Sequence, residues 1–313
     1  MASQQSEDYL EAIDRLEERG ELVTTSALAR ERGVSAPSVT EMLRRLSEQG
    51  LVAYEQRKGV SLTAEGRRLA ASVVRRHRLW ERFLHDVLGL RWDRVDDEAC
   101  KLEHATSPEV ERRLARALGN VDTCPHGHAI PGAGPETSRE STVPLSELEP
   151  ARLARIVSVR EGEAELLRRL GSLGIRPGAI VRVEDEGDPA DSLVLRVANR
   201  RQSLERDLAS HVAAKPLSPE EAKAEADGPV SISDLVPGEA GVVRELLAGR
   251  TFVARCLALG FTPGTQVRMI QNPGHGPVIV LVRDTRVALG RGEAQKIRVV
   301  RVVRKEEADV EAS

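Results

Sequence analysis

The sequence predicts a multidomain fold, with a mainly α N-terminal half followed by two small β-barrels. The N-terminal half combines a winged helix-turn-helix with a second helical domain. Three observations carry this expectation. Apolar residues recur at helical spacing, between recognisable caps, through the first third of the chain. Two short apolar runs flank Arg57-Lys58-Gly59 in the manner of a β-hairpin. Finally, one unit occurs twice, anchored by Leu173-Gly174-Ile175-Arg176-Pro177-Gly178 and Leu259-Gly260-Phe261-Thr262-Pro263-Gly264, offset by 86 residues.

Tyr9, Ile13 and Leu16 mark a first helix that stops near Gly20. Thr24 or Thr25 caps a second, short helix ending at Gly33. Ser35 then caps a third, with Pro37 in its first turn and Val39, Met42, Leu43 and Leu46 as its buried stripe. Helix, glycine turn, helix is the arrangement that lays its second member in the DNA major groove. Ser35, Pro37, Ser38, Thr40 and Glu41, at the exposed start of that helix, are candidate base-edge contacts. Arg44 and the hairpin cations Arg57 and Lys58 are candidate phosphate contacts. Few of these are bidentate readers, so shape and phosphate contacts carry much of the expected affinity.

The 313 residues carry a net charge of −3, so a nucleic-acid surface has to be local. It is found between Arg44 and Arg82, where ten Lys or Arg face four acids. The competing reading is a winged helix used for protein contacts, with a solvated cationic face. The polar start and the lack of an 18-residue apolar run predict a soluble, cytoplasmic protein. Three cysteines are too few for a disulfide framework. Aromatic residues make up only 2%, which argues against stacking platforms for single strands.

Beyond the hairpin runs a long helix in which His77 and Glu81, spaced i, i+4, share a face suited to chelation. His85 continues that face but reads as a packed or surface residue. In the helix that follows, Asp96, Cys100, Glu103 and His104 fall within roughly a 100° sector, beside an apolar stripe of Val95, Ala99 and Leu102. Carboxylate, thiol and imidazole side by side form one wall of a divalent-metal site, or else the solvated face of an amphipathic helix. Thr106-Ser107-Pro108-Glu109 starts a further amphipathic helix able to pack against a copy of itself. Cys124-Pro-His126-Gly-His128 is a Cys-x-His on a tight turn, a weak signal taken alone.

In order and spacing, EDYLEAI, the helix-turn-helix, RRHRLWERFL, DDEACKLEHATSPEVERRL and TCPHGHAIPG closely resemble the diphtheria toxin repressor family. The likeness spans residues 5–135, and the family includes iron-dependent and manganese transport regulators. It implies a homodimeric winged-helix repressor of metal-homeostasis genes that binds palindromic operator DNA when two metal sites per subunit are filled. The activating site is then Asp8, Cys100, Glu103 and His104, with Glu11 as an extra ligand. The ancillary site is His77 and Glu81, joined by Cys124, His126 and an acid from the next domain. Glu161 is the first choice for that acid and Glu163 the second. Asp96 stands where iron-type members carry histidine, which puts its ligation in doubt. Asp8 resembles the manganese branch and Cys100 the iron branch. A hard carboxylate favours Mn(II), so Mn(II) is preferred over Fe(II). Zn(II), Co(II), Ni(II) or Cd(II) are expected to substitute in vitro.

Each repeated unit reads as strand, short helix, Leu-Gly turn and further strands, which fits a five-stranded barrel of about 75 residues. The two units resemble FeoA domains, SH3-like barrels found after the dimerisation domain in this family, where a single copy is expected. Cys256, the counterpart of Leu170, reads as core. The expected division is 1–72 winged helix-turn-helix, 73–135 metal-binding and dimerisation domain, 136–142 linker, 143–216 first barrel, 217–228 charged flexible linker, 229–305 second barrel and 306–313 tail. No catalytic dyad, P-loop or dinucleotide fingerprint is present, so an enzyme is not expected. Two alternatives remain: a winged-helix regulator answering an organic ligand, and an accessory of ferrous-iron transport acting through the barrels.

Overall fold

Helix α1 (Gln4–Glu18) begins where the Ser3 hydroxyl accepts the Ser6 N–H, and it buries Tyr9, Leu10, Ile13 and Leu16. Helix α2 (Thr25–Arg32) is capped by Thr24 and closed by Gly33 in the left-handed region. Helix α3 (Ala36–Glu48) is capped by Ser35 and turns Val39, Met42, Leu43 and Leu46 inward. Strands β1 (Val52–Glu55) and β2 (Gly59–Leu62) pair antiparallel from Val52↔Leu62 to Glu55↔Gly59 and form the wing. These elements share one core, in which each fully buried Leu or Ile contributes about 1.5–3 kcal/mol relative to exposure. The computed structural model describes residues 3–55, 59–119, 121–133, 141–184, 192–197, 200–226, 228–247 and 250–302. Arg57, Lys58 and most of the 136–142 segment lie outside the described residues, as does the 306–313 tail.

Helix α4 (Ala64–Asp86) is the spine of the N-terminal half. A Cβ at Gly66, in its first turn, would stand 1.9 Å from the Leu51 carbonyl oxygen, so only glycine lets the helix lie this close to the wing. Helix α1 packs on α4, as do α5 (Val95–Glu103) and α6 (Pro108–Leu118). Two small cores fix them, one of Leu84, Val95 and Ala99, the other of Leu79, Leu114, Leu118, Val121 and Ile130.

The first C-terminal unit contains β3 (Val143–Pro144), β4 (Leu153–Val159), α7 (Ala164–Ser172), β5 (Ile180–Glu184), β6 (Ser192–Val197), β7 (Arg200–Glu205), α8 (Arg206–Ser210) and β8 (Val212–Pro216). Its antiparallel sheet runs β3-β8-β4-β5-β6-β7. After α9 (Pro219–Ala226), the second unit contains β9 (Val230–Ser231), β10 (Ala240–Leu246), α10 (Arg250–Ala258), β11 (Gln266–Gln271), β12 (Val278–Val282), β13 (Thr285–Leu289), α11 (Arg291–Ala294) and β14 (Ile297–Val302). Its sheet order, β9-β14-β10-β11-β12-β13, repeats that of the first. Each sheet thus has six strands where five were expected. The extra one is a two-residue edge strand, too short to show alternation in sequence. Both sheets are curled half-barrels, and Cys256 is fully buried in the second core.

The expected flexible spacer is instead the helix α9. Its Glu225 pairs with Arg155 of the first unit at 3.6 Å and with Arg244 of the second, while Arg244 Nη1 donates to the Gly178 carbonyl at 2.6 Å. The helical half is joined to the first unit by Trp92, whose indole belongs to that unit's core and lies under the Arg176 guanidinium. Among the described residues, no helix is long and apolar enough to cross a membrane.

Candidate metal centre

Candidate ligands from α1, α4, α5, the 124–128 turn and the segment after β4 meet at one buried junction. The turn is held by the Cys124 N–H donating to the His128 carbonyl and the Gly127 N–H donating to that of Cys124. Gly127 has φ +93°, and a Cβ there would stand 2.0 Å from the Val157 carbonyl oxygen. Glycine therefore lets the Cys-Pro-His-Gly turn lie flush against β4 and brings Glu161 over it.

One cluster joins Glu81, Cys124, His126 and Glu161, with ligand atoms all within 4.8 Å of one another. His126 Nε2 donates to the Trp92 carbonyl at 2.9 Å, which leaves Nδ1 facing Glu81 Oε1 at 2.9 Å. That bond to the backbone fixes the ring's orientation. The Cys124 thiol donates to Glu161 Oε1 at 3.2 Å. Burial, together with the nearby Glu81 and Glu161 carboxylates, pushes this thiol well above its ordinary range. Burial opposes ionisation of Glu161, yet His128, Arg78 and Arg15 hold it down to about 2. For His126 burial disfavours the proton, but Glu81 raises the ring to about 9.

A second cluster joins Asp8, Glu103 and His104. His104 Nε2 lies 2.8 Å from Asp8 Oδ1 and 3.0 Å from Glu103 Oε1, while Nδ1 lies 2.8 Å from Glu7 Oε2. Arg76 Nη2 donates to the same Glu7 oxygen at 3.2 Å, and Arg32 Nη2 donates to Asp8 Oδ2 at 2.6 Å. Glu7 was not singled out in the sequence. Its only signal there is adjacency to Asp8, because the histidine it orients lies 97 residues away.

His77 sits between these clusters rather than within the first one, as the sequence implied. Its Nδ1 is 2.6 Å from Glu103 Oε2 and 3.9 Å from Cys100 Sγ, and its Nε2 is 3.3 Å from Asp96 Oδ1 and 3.7 Å from Glu81 Oε1. Two further groupings follow, His77·Cys100·Glu103 and His77·Glu81·Asp96. Cys100 and Glu103 therefore meet beside His77, their ligand atoms within 4.8 Å of each other. Asp96, whose ligation the family pattern leaves in doubt, faces the centre. Glu11 lies 4.0 Å from His77 Nδ1 and is paired with Arg15 at 3.0 Å. Glu163 is an exposed N-cap of α7 outside every grouping, and His85 is taken up by the Leu90 carbonyl at 2.9 Å.

The donor set fits a divalent ion. Glu81 Oε2 is buried without a hydrogen-bond partner, and Glu81 Oε1, Asp96 Oδ1 and His126 Nδ1 meet only one another, His77 or Arg15 in ion-pair contacts, a costly condition that ligation relieves. Carboxylate, imidazole and thiol together suit Mn(II), Fe(II), Co(II) or Zn(II). A cleft of ≈ 430 Å³, lined in part by Arg15, Arg78, His128, Arg160 and His211, leads to Glu161 from the surface.

On the DNA side, Ser35, Pro37, Ser38, Glu41 and Arg44 are exposed on α3. Thr40 is half-buried and donates its hydroxyl proton to the Ala36 carbonyl at 3.0 Å.

Residues 1–60 match the iron dependent repressor N-terminal DNA-binding domain, and residues 63–132 match the iron dependent repressor metal-binding and dimerisation domain. The chain belongs to the iron-dependent repressor family. Residues 143–216 and 230–301 each match the FeoA domain. The iron-dependent repressor IdeR of Mycobacterium tuberculosis is 40% identical over 192 residues, covering 57% of this chain and 83% of that protein. The diphtheria toxin repressor of Corynebacterium glutamicum is 36% identical over 191 residues, covering 58% and 84%. A manganese-dependent transcriptional repressor in complex with manganese superposes with a TM-score of 0.63 at 34% identity, covering 68% of this chain and all of that one. ScaR with bound Cd2+ gives 0.59 at 28%, covering 68% and 99%. The family is one of metal-dependent transcriptional repressors, which are not enzymes, and its DNA-binding and dimerisation domains make operator DNA and a second copy of the chain the partners.

Proposed function

We propose that this chain is a cytoplasmic, homodimeric repressor of metal-homeostasis genes that recognises a palindromic operator when Mn(II) or Fe(II) fills two sites per subunit. In this reading residues 1–72 bind DNA, 73–135 bind metal and dimerise, and the two FeoA-like domains occupy 143–216 and 229–305. The observation that carries it is the buried convergence of Glu81, Cys124, His126 and Glu161, whose ligand atoms all lie within 4.8 Å of one another.

A bound divalent ion supplies a Lewis-acid junction that neutralises carboxylates drawn from separate domains. Asp8 stands on α1 of the DNA-binding half, whereas Cys100 and Glu103 stand on α5 and His104 directly after it. Joint ligation by Asp8, Glu103 and His104, with Cys100 completing the set, fixes α1 against α5. In a dimer, that sets the spacing of the two α3 helices at about one DNA turn. Glu81, Cys124, His126 and Glu161 do the same between α4 and the first FeoA-like domain, with His77 bridging the two sites. The DNA-competent arrangement is thereby selected from a pre-existing ensemble. Ser35, Pro37, Ser38, Thr40 and Glu41 face base edges, and Arg44, Arg57 and Lys58 face phosphates.

Anisotropy of a labelled promoter fragment tests this, with Mn(II) and Fe(II) titrated anaerobically against a chelator control. Binding that strengthens with metal and is lost on chelation is expected. Metal-independent binding would sink the reading, and Asp8→Ala should abolish the metal response.

A further inference from the structure

Arg15 is a largely enclosed cation whose side chain is surrounded by candidate metal ligands. Its Nη2 lies 3.0 Å from Glu11 Oε1, 3.2 Å from His77 Nε2 and 3.8 Å from Asp96 Oδ1, and its Nε lies 4.0 Å from Glu161 Oε2. Arg78 makes the contrast. It approaches Glu161 at 3.9 Å, but its short bonds go to the Ala129 carbonyl at 2.6 Å and to Glu18 at 2.8 Å, groups outside the metal clusters, so it is a fixed counter-charge.

We propose that Arg15 is a built-in competitor for the metal: its guanidinium holds the His77, Asp96 and Glu161 donors and must release them when a divalent ion is ligated there. The proposal rests on the metal-activated reading and adds a residue to it. Three arguments support it. A guanidinium has no lone pair to offer an ion and does not lose its proton in proteins, so it can give way only by moving. Glu11, Glu161 and Asp96 reinforce its charge against the burial that opposes it. Its side chain is 18% exposed and lines the ≈ 430 Å³ cleft, which gives it somewhere to go.

Position gives the competition a consequence. Arg15 belongs to α1 of the DNA-binding half, Asp96 to α5, and Glu161 to the first FeoA-like domain. Releasing Arg15 therefore frees α1 from one set of partners while Asp8, on the same helix, takes up another. Two divergent demands on one helix make ion uptake weaker than the bare donor set would allow, and they couple it to movement of α1.

The test is Co(II) titration into the purified full chain without DNA, followed by calorimetry and visible absorption, for the unaltered protein and Arg15→Gln. Removing a like charge beside the ligands should tighten Co(II) binding where His77, Asp96 and Glu161 supply donors roughly tenfold or more. Equal or weaker binding by Arg15→Gln would overturn the proposal and make Arg15 a neutraliser of surplus carboxylates. Failure of both proteins to bind Co(II) would instead overturn the metal reading, and the proposal with it. Should Arg15→Gln not fold, a crystal structure of the unaltered protein with Cd(II) decides. Arg15 moved off His77 and Asp96 supports the proposal, and a guanidinium still within 4 Å of both beside the bound ion overturns it.

Discussion

His126 donates from Nε2 to the backbone carbonyl of Trp92 at 2.9 Å, and the two rings stand 5.6 Å apart. One residue is a candidate ligand and the other fills the first FeoA-like core, so ligation and domain docking share a contact. Trp92→Ala should cost about 3–5 kcal/mol of stability in urea unfolding by emptying that core. It should also weaken metal binding by loosening the carbonyl that aims His126. Unchanged metal affinity in a destabilised Trp92→Ala protein would separate the two roles.

The Glu7 carboxylate orients the candidate ligand His104, whose Nδ1 lies 2.8 Å from it. Glu7→Ala should lower metal affinity at the Asp8–Glu103–His104 cluster about 10- to 100-fold while leaving thermal stability without metal nearly unchanged. Calorimetry with Mn(II) measures the first effect and a melting curve in chelator the second.

Gly127→Ala asks a residue at φ +93° to carry a Cβ 2.0 Å from the Val157 carbonyl oxygen. The turn must retreat from β4, taking Cys124 and His126 away from Glu161. A loss of more than about 2 kcal/mol in denaturant unfolding is expected, together with loss of the cysteine-containing site.

Burial and the neighbouring Glu18 raise the Asp14 carboxyl from 3.8 to about 6, against the opposing pull of Arg78 and Arg67. The folded chain therefore holds an extra proton between those values. Its stability is highest below 3.8 on this account, falls as pH rises to 6, and is flat above. Asp14→Asn should accordingly stabilise the protein at pH 7 by on the order of 1–3 kcal/mol, with no gain near pH 3.8. Chemical unfolding at the two pH values compares them.

Arg44 is exposed on the recognition helix and carries phosphate affinity in the proposed complex. Arg44→Ala should weaken binding to all duplexes alike. For a dimer using both copies, the slope of log affinity against log salt should become shallower by about 1.8. A change confined to one operator position would make Arg44 a base reader instead.

Local chemistry made much of this molecule legible in sequence. Ser3, Thr24, Ser35, Thr63 and Ser107 all cap helices through their side chains, and caps of this kind are written in four adjacent residues. The helix at Val95–Glu103 and the repeat anchors were visible for the same reason. What depended on distant partners was not. Helical spacing puts Asp96 on the metal wall, the family pattern puts it in doubt, and no local pattern shows that His77, 19 residues earlier, points at it. Glu7 and Arg15 were overlooked because their meaning comes from His104, Asp96 and Glu161. The helix in the spacer was missed because its register is set by Glu225 meeting two arginines from different domains.

That spacer helix gives the duplicated half a fixed phase. Glu225 reaches Arg155 and Arg244 together only at one rotation of α9, and each added or deleted residue there turns it by about 100°. A glycine-serine tether of equal length would tolerate insertions; this one would not. Length variation between the two FeoA-like domains is therefore expected in whole helical turns, if it occurs at all.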